Sequence, residues 1–423
     1  MRPIRPLVLV AVLALPLGAL ALGWREGRRP ERADDGRPPV PVAAHDSRAL
    51  TEEAIRLYAA GQFPRACERF SRAADDNPAS AALRADVGNC FEGWGWQALR
   101  EGRPDEALLL FRQGLAEAPE STALWKGLGL AAVHAGRPDD AFGPLERVVG
   151  SEFDPEVRML LAYLYDYRDD PARAIAHLNA VLEREPGNAG ALRLLEKVER
   201  ERRAESGFHR DVTPRFVLKY RSTPGAEARR TILRLLEVAA ERVGRTLRWE
   251  PRERLTVVLY ERGQFQDVTR VHGWATGLFD GKIRLPLGPA LPPAAQVERL
   301  IVHEYAHAAI HHLSRGRAPR WLQEGLAQAL EGAAVDAMLR VPGSVTLAGI
   351  EALVADSDPV RARTGYDLAL WIVRDLLDRG GTETVRELLV RLAAGDTLDD
   401  ATLRVYGLRL VEIESQWRRL LGG

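Results

Sequence analysis

The residues best suited to chemistry in this sequence are His303 and His307, with Glu304 directly after the first histidine. Residues four apart on an α-helix project from one face, so both imidazoles can reach a single metal ion. Zinc accepts imidazole nitrogens in tetrahedral sites and keeps one position for water when the site is catalytic. Glu304 lies beside that face, where its carboxylate can take a proton from the water. The stretch therefore predicts a hydrolytic zinc site on a helix.

The third protein ligand must come from another part of the chain. A motif with a third histidine six residues after His307 is excluded, because Leu313 occupies that position and Ile310 replaces its glycine. The alternative is a glutamate on the next helix. Glu324 follows His307 after sixteen intervening residues, beyond a turn that ends at Pro319 and lets the second helix fold back. Glu324 is therefore the candidate third ligand.

Taken together, the two motifs resemble those of gluzincins, the thermolysin-like peptidases of the peptidase MA superfamily. The resemblance covers about residues 210–423, and the strands before the helix are similar to the bacterial peptidase MA-like family. It implies one zinc ion bound by His303, His307 and Glu324, with Glu304 as the general base in peptide-bond hydrolysis. The exopeptidase motif of aminopeptidases is absent, which favours an endopeptidase.

The same resemblance implies a substrate-binding strand. In the family, the strand before the active-site helix is an edge strand that pairs with extended substrate. By that analogy the segment Gly281–Leu285, with Lys282, Ile283 and Arg284 at its centre, adds a peptide by β-augmentation.

Supporting residues are also implied. Zinc-bound histidines donate their second nitrogen to an acceptor, and thermolysin-like enzymes often have an aspartate four residues after the ligand glutamate. This chain has Gln328 there, and we predict that its side-chain carbonyl is the acceptor, without adding charge. Tyr366 is our candidate for stabilising the oxyanion, with packing against Trp371 as an equal alternative. His311 and His312 are expected not to be ligands.

A repeat precedes this region, between about residues 46 and 205. Four alanines recur at steps of 41, 34 and 33 residues, each preceded five residues earlier by a turn residue and followed four residues later by a large apolar side chain. The turn residues are Gly61, Gly102, Gly136 and Asp169. A period of about 34 with two amphipathic helices per unit resembles tetratricopeptide repeats, here about four units that end in a charged capping helix.

The sequence pattern changes in residues 206–423, where the helical repeat ends and strand-like segments appear. Phe216–Tyr220 and Leu255–Tyr260 are predicted strands, and Trp274–Pro286 is typical of a hairpin that turns at Asp280–Gly281. Most of the remaining sequence is predicted to be helical. The expected fold is multidomain, with an N-terminal all-α tetratricopeptide-repeat solenoid and a C-terminal α+β zincin (gluzincin) metallopeptidase domain.

The N-terminus indicates export. Residues 1–24 carry a basic start and an apolar run with small residues, which is typical of a signal peptide or an N-terminal membrane anchor. Residues 25–45 are rich in Pro and Arg and are predicted to be a linker. We expect the protein to be periplasmic or otherwise extracytoplasmic, or attached to the membrane through this segment.

The charge balance bears on the class of partner, and the two cysteines bear on the redox state of the protein. The 59 basic and 59 acidic side chains balance, which gives no electrostatic argument for nucleic acid. The expected partners are a protein or peptide substrate and a protein bound to the repeats. Cys67 and Cys90 are the two cysteines, and we expect two buried thiols, with a single bridge as the alternative in an oxidising compartment.

Other interpretations stay open. A match of this length arises by chance in helices, and His303 and His307 would then be surface histidines. An envelope adaptor or assembly protein, in which the repeats carry the function and the metallopeptidase domain is inactive, is the alternative from another class. A gluzincin fold that acts on a non-peptide bond is a third. The presence of all three ligands and the base favours a peptidase.

Overall fold

The computed structural model describes residues 42–221, 225–271, 277–288, 291–335 and 346–421. The predicted signal or anchor and most of the predicted linker lie outside these ranges. The described chain divides into two compact units, and the division falls between Leu161 and Ala162. Within these ranges no helix combines the length and the apolar character needed to cross a membrane.

Helices that come in pairs make up the first unit. They are α1 (Val42–Ala59), α2 (Phe63–Asp76), α3 (Ala81–Arg100), α4 (Pro104–Glu117), α5 (Thr122–His134), α6 (Pro138–Ser151) and the start of α7 (Pro155–Tyr167). The same pattern continues in the second unit with α8 (Pro171–Arg184) and α9 (Ala189–Ala204). Four pairs and a final helix confirm the predicted repeat array.

The turns inside the pairs use the left-handed region of backbone space. Gly61, Gly102 and Gly136 have φ values of 71°, 74° and 68°, and Asp169 reaches 59° at the equivalent position. Glycine adopts this conformation without steric cost, whereas a residue with a Cβ rarely does. The alignment of Asp169 with the three glycines in sequence therefore reflects a shared backbone conformation.

The two cysteines differ from our expectation of free thiols. Cys67 on α2 and Cys90 on α3 are joined by a disulfide, with their Cα atoms 5.5 Å apart. Adjacent helices of the repeat bring the two residues within bonding distance across a separation of 23 residues. A spacing of this kind is compatible with either state, so the sequence alone could not decide.

A five-stranded mixed sheet organises the second unit. Its strands are β1 (His209–Val212), β2 (Phe216–Tyr220), β3 (Leu255–Leu259), β4 (Leu278–Phe279) and β5 (Ile283–Leu285), in the order β1-β2-β3-β5-β4. Strands β2, β3 and β5 are parallel, and β1 and β4 pair antiparallel at the two edges. The hairpin from β4 to β5 turns at Asp280–Gly281, as predicted.

Both faces of the sheet are covered. Ile283 and Leu285 point into the main core, which α10 (Ala226–Leu247) and the later helices complete. On the other face, Val258 and Tyr260 pack with Phe265 of α11 (Arg262–Thr269). Ala204, at the end of α9, packs against the same cluster. The final helix of the repeats therefore belongs to the compact unit that contains the sheet. The predicted boundary between the repeat array and the peptidase domain, between residues 205 and 206, is based on the sequence pattern.

Helices follow the sheet. They are α12 (Ala294–Ser314), α13 (Arg320–Glu331), α14 (Leu347–Val354), α15 (Pro359–Ala394), α16 (Leu398–Tyr406) and α17 (Leu410–Leu421). A kink at Gly381, where φ is 73°, divides α15. The α+β organisation predicted for this part of the chain is confirmed.

Candidate metal centre

Helix α12 carries the histidines because one side of it is anchored in the core. Val297, Ile301 and Tyr305 are almost completely buried there. The helix ends at Ser314, the φ of the next residue, Arg315, is a left-handed 51°, and the chain returns through a short turn to α13. His303 and His307 face this second helix, as the sequence predicted.

Helix α13 is held in place by its neighbours at two points. The Glu351 carboxylate on α14 accepts hydrogen bonds from the backbone N–H groups of Arg320 and Trp321, at 3.1 and 3.0 Å. These N–H groups lack partners within the helix, so the carboxylate caps its N-terminus. A Cβ atom on Gly325 would lie 2.7 Å from the carbonyl carbon of Ala369 on α15. Glycine thus permits a close approach directly beside Glu324.

Three donor atoms converge between the two helices. The Nε2 atoms of His303 and His307 are 3.1 Å apart, and Oε2 of Glu324 lies 3.4 Å from each of them. Ligands at 2.0–2.1 Å in a tetrahedral zinc site are separated by about 3.3 Å. Two imidazole nitrogens and one carboxylate oxygen also form a ligand set that zinc prefers. The three side chains therefore fit one zinc ion. Within the described residues they form a group whose geometry suits metal binding.

Comparison with known families agrees with this geometry. Residues 255–423, which include all three donors, match the family model of the Peptidase MA superfamily. The chain carries a Peptidase MA superfamily domain. The match begins at β3, so β1, β2 and α10 lie outside it.

The helical pairs have relatives too. Residues 98–164 match the tetratricopeptide repeat model. A thermophilic repeat protein of Thermus thermophilus is 19% identical over 36% of this chain and 98% of its own, with a TM-score of 0.22. A tetratricopeptide repeat protein of Parabacteroides merdae is 13% identical over 82% and 99%, with a TM-score of 0.32. Among curated proteins no match was found.

Electrostatics in the peptidase MA domain favour a cation where the donors meet. Burial would raise the pKa of the Glu324 carboxyl, but the charge of His307 and hydrogen bonds from both imidazoles lower it well below its usual range. Burial would lower the pKa of His303, but hydrogen bonds to Glu324 and Glu331 raise it well above its ordinary value. Carboxylates thus stabilise positive charge at this position.

Glu304 is enclosed beside the donors. Its side chain is 4% exposed, and burial raises the pKa of its carboxyl above the ordinary value. Gly277, just before β4, packs against the carboxylate so closely that an added Cβ would lie 2.6 Å from Cδ of Glu304. The carboxylate of the predicted base therefore has little freedom to move.

Tyr366 is brought to the site from α15. Its hydroxyl hydrogen-bonds with the Glu324 carboxylate, and its pKa is raised by burial and by the charges of Glu324 and Glu304. The hydroxyl thus stays protonated and remains a donor at neutral pH. A donor at this position is what the sequence-based hypothesis of an oxyanion stabiliser requires.

The acceptor behind His303 is different from the residue we predicted. The Gln328 amide donates to the backbone carbonyls of Glu324 and Tyr366, at 3.3 and 2.9 Å, and so ties α13 to α15. Oε2 of Glu331 instead lies 3.1 Å from Nδ1 of His303. Glu331 stands seven residues, or two helical turns, after Glu324 and thus on the same face. That spacing was the available signal, and the prediction chose the residue one turn too early.

We expect Glu331→Gln to weaken zinc binding about tenfold, because a neutral amide still accepts from His303 but no longer adds charge. Gln328→Met is the matched control, and it should leave the zinc dissociation constant unchanged. Competition with a chromogenic chelator measures both constants. If only the Gln328 variant lost affinity, the original assignment of Gln328 would be right.

The predicted edge strand is also placed differently. Strand β5 lies between β3 and β4, so Ile283 and Arg284 pair with strands on both sides. Lys282 and Arg284 are 4% and 1% exposed and form ion pairs with α9. The prediction that Gly281–Leu285 is an edge strand is therefore wrong. At this side of the sheet the edge is β4, adjacent to Gly277 and the base.

The remaining histidines of α12 pack against other side chains. His311 meets the ring of Phe279 on β4, with ring centroids 5.7 Å apart, and burial lowers its pKa to about 4. His312 stacks on Trp249 with centroids 5.4 Å apart. Nε2 of His312 lies 2.8 Å from the Tyr167 hydroxyl. Neither imidazole belongs to the group of three donors.

Proposed function

We propose that this protein is a zinc-dependent peptidase in which His303, His307 and Glu324 bind the metal and Glu304 is the general base. The convergence of the three donor atoms at the separations of a tetrahedral zinc site carries this proposal. Membership of the domain in a superfamily of peptidases supports it.

The proposed chemistry assigns one task to each side chain. When bound, zinc acidifies a water molecule and polarises the scissile carbonyl. Glu304 accepts the proton of the attacking water and passes it to the leaving amine. The Tyr366 hydroxyl donates a hydrogen bond to the carbonyl oxygen as negative charge develops there.

The proposed substrate is an extended peptide within a protein, cleaved by an endopeptidase. Strand β4 is the edge of the sheet beside the base, so a peptide that pairs with it passes the three donors. The repeats supply a second surface for a protein partner.

We also propose that the protein works outside the cytoplasm, exported or tethered by residues 1–24. The disulfide between Cys67 and Cys90 supports this location, because such bonds persist in oxidising compartments.

Metal analysis tests the proposal. We expect one zinc per purified chain, loss of hydrolysis of a denatured protein substrate after chelation, and recovery when zinc is returned. His311→Ala is the control, since it removes a neighbouring imidazole that is not among the donors. It should keep the zinc.

Two results would contradict the proposal. A chain without stoichiometric zinc would exclude the catalytic site and favour the adaptor alternative, in which the repeats carry the function. A chain that binds zinc but cleaves no peptide, while it hydrolyses another bond, would exclude the peptide substrate.

A further inference from the structure

A cluster of buried charges lies on the sheet face covered by α9. We call it the ion cluster. Its carboxylates are at most 10% exposed, and one of its cations, Arg284, is 1% exposed. None of these groups is a donor of the metal centre. The members are Asp166, Asp169, Lys197, Glu201, Glu205, Lys219, Asp280, Lys282 and Arg284.

The ion cluster connects the β4–β5 hairpin to α9. Arg284 donates to Glu201 at 2.7 Å and to Glu205 at 3.3 Å, both on α9 or at its end. The same guanidinium donates to Asp280, in the hairpin turn, at 3.0 Å. Nζ of Lys197 on α9 lies 3.4 Å from Asp280. The hairpin turn and strand β5 are therefore both fixed to one helix.

Lys282 connects the same hairpin to the end of α7 and the turn that follows. Its Nζ lies 3.6 Å from Asp166 and 3.2 Å from Asp169. Because Lys282 and both carboxylates are buried, water screens these ion pairs little. The hairpin is thus held by carboxylates from two helical segments.

Tyr167 makes an independent connection. Its ring packs on Gly281 in the hairpin turn, where an added Cβ would lie 2.8 Å from Cε2 of the ring. Its hydroxyl lies 2.8 Å from Nε2 of His312 on α12. One side chain thus links the turn to the helix that carries the histidines.

The other end of the hairpin reaches the base. Gly277 precedes β4 and is three residues from Asp280, and it packs directly on the Glu304 carboxylate. Phe279 on β4 packs on His311, one turn beyond His307. Any shift of the hairpin therefore moves atoms that contact Glu304 and α12.

We propose that the ion cluster positions the base. In this proposal Arg284, Asp280 and Glu201 set the position of the hairpin, and the hairpin sets the position of the Glu304 carboxylate through Gly277. The last helix of the repeats is then a positioning element for catalysis as well as part of a binding array. The inference rests on the proposed peptidase function for its activity measurement.

Asp280→Asn in the full chain tests the proposal. It weakens the contacts to Arg284 and Lys197 without changing size. Because a displacement of about 1 Å at a reacting group costs up to about a hundredfold in rate, we expect kcat to fall at least about tenfold with zinc content unchanged. Hydrogen exchange of the amides in residues 277–285 should accelerate at least tenfold as well.

Asp375→Asn is the matched control. Asp375 forms an ion pair with Arg379, four residues later, as Asp280 does with Arg284, but it lies on α15 outside the ion cluster. It should leave kcat and exchange in the hairpin unchanged. Asp280→Glu, which restores a carboxylate, should recover part of the rate.

A second variant keeps the proposal testable if Asp280→Asn does not fold. Glu201→Gln weakens the contacts to Arg284 and Lys282 from the side of α9 without changing size, and it should lower kcat with hairpin exchange faster than in wild type. The proposal is overturned if the folded variants bind zinc, turn over at the wild-type rate and keep wild-type exchange. An inactive wild type would refute the peptidase function alone, because the exchange measurement still tests the link between cluster and hairpin.

Discussion

Replacing Glu304 with glutamine is expected to lower kcat about a thousandfold while the chain keeps its zinc. A positioned general base contributes about a hundredfold to ten-thousandfold to a proton transfer, and glutamine cannot accept the proton. The amide is nearly the same size as the buried carboxylate, so the packing around Gly277 is preserved. Turnover of a fluorogenic peptide and zinc content per chain are the two measurements.

Glu298→Gln is the control, because it makes the same chemical change on the same helix outside the group of donors. It should retain wild-type turnover. If the Glu304 variant hydrolysed the peptide at the wild-type rate, the assignment of Glu304 as the general base would be wrong. Loss of zinc in that variant would instead make the carboxylate a ligand.

Gly277→Ala should lower kcat on the order of a hundredfold, because the added methyl overlaps the Glu304 carboxylate and displaces it from the reacting water. The carboxylate cannot yield without cost, since it is buried among packed side chains. Zinc binding should be retained, because none of the three donors is among the atoms nearest to the new methyl. Steady-state kinetics with the zinc-loaded variant measure the effect.

Gly288→Ala provides the comparison on the far side of the hairpin. An added Cβ there meets nothing within 4 Å, so the same substitution adds no overlap. It should turn over at the wild-type rate. If both glycine variants were equally active, the packing of Gly277 would not constrain the base.

The donors of the metal centre could be predicted because local rules determine them. His303 and His307 are four residues apart and so share one face of a helix. Glu324 lies on the next helix, which folds back against the first after a short turn. Residue type and helical period are enough to choose the two histidines, and the resemblance to gluzincins adds Glu324. The strands and the repeat turns were predictable for the same reason. Alternation of apolar and polar residues identifies a strand within a few residues, and a recurrent glycine identifies the left-handed position of each repeat turn.

The contacts that support the donors could not be chosen by local rules. Arg284 pairs with Glu201, which is 83 residues earlier in the chain. A charged residue in a short strand is typical of a solvent-facing edge, so its burial depends on tertiary partners that spacing does not reveal. Glu331 and Gln328 are both on α13, and only the rotation of that helix against α12 decides which of them meets His303.

The cap on α13 has a consequence for the order in which the site matures. Glu324 is translated only 21 residues after His303, yet its helix depends on Glu351 and on the backbone of Ala369 for its position. On a ribosome, the complete set of donors therefore emerges well before the residues that align it. Metal binding in the final geometry should therefore follow synthesis of α15. A nascent chain that stalls after α13 and before α15 would contain all three ligands but would not hold them in the geometry of the metal centre.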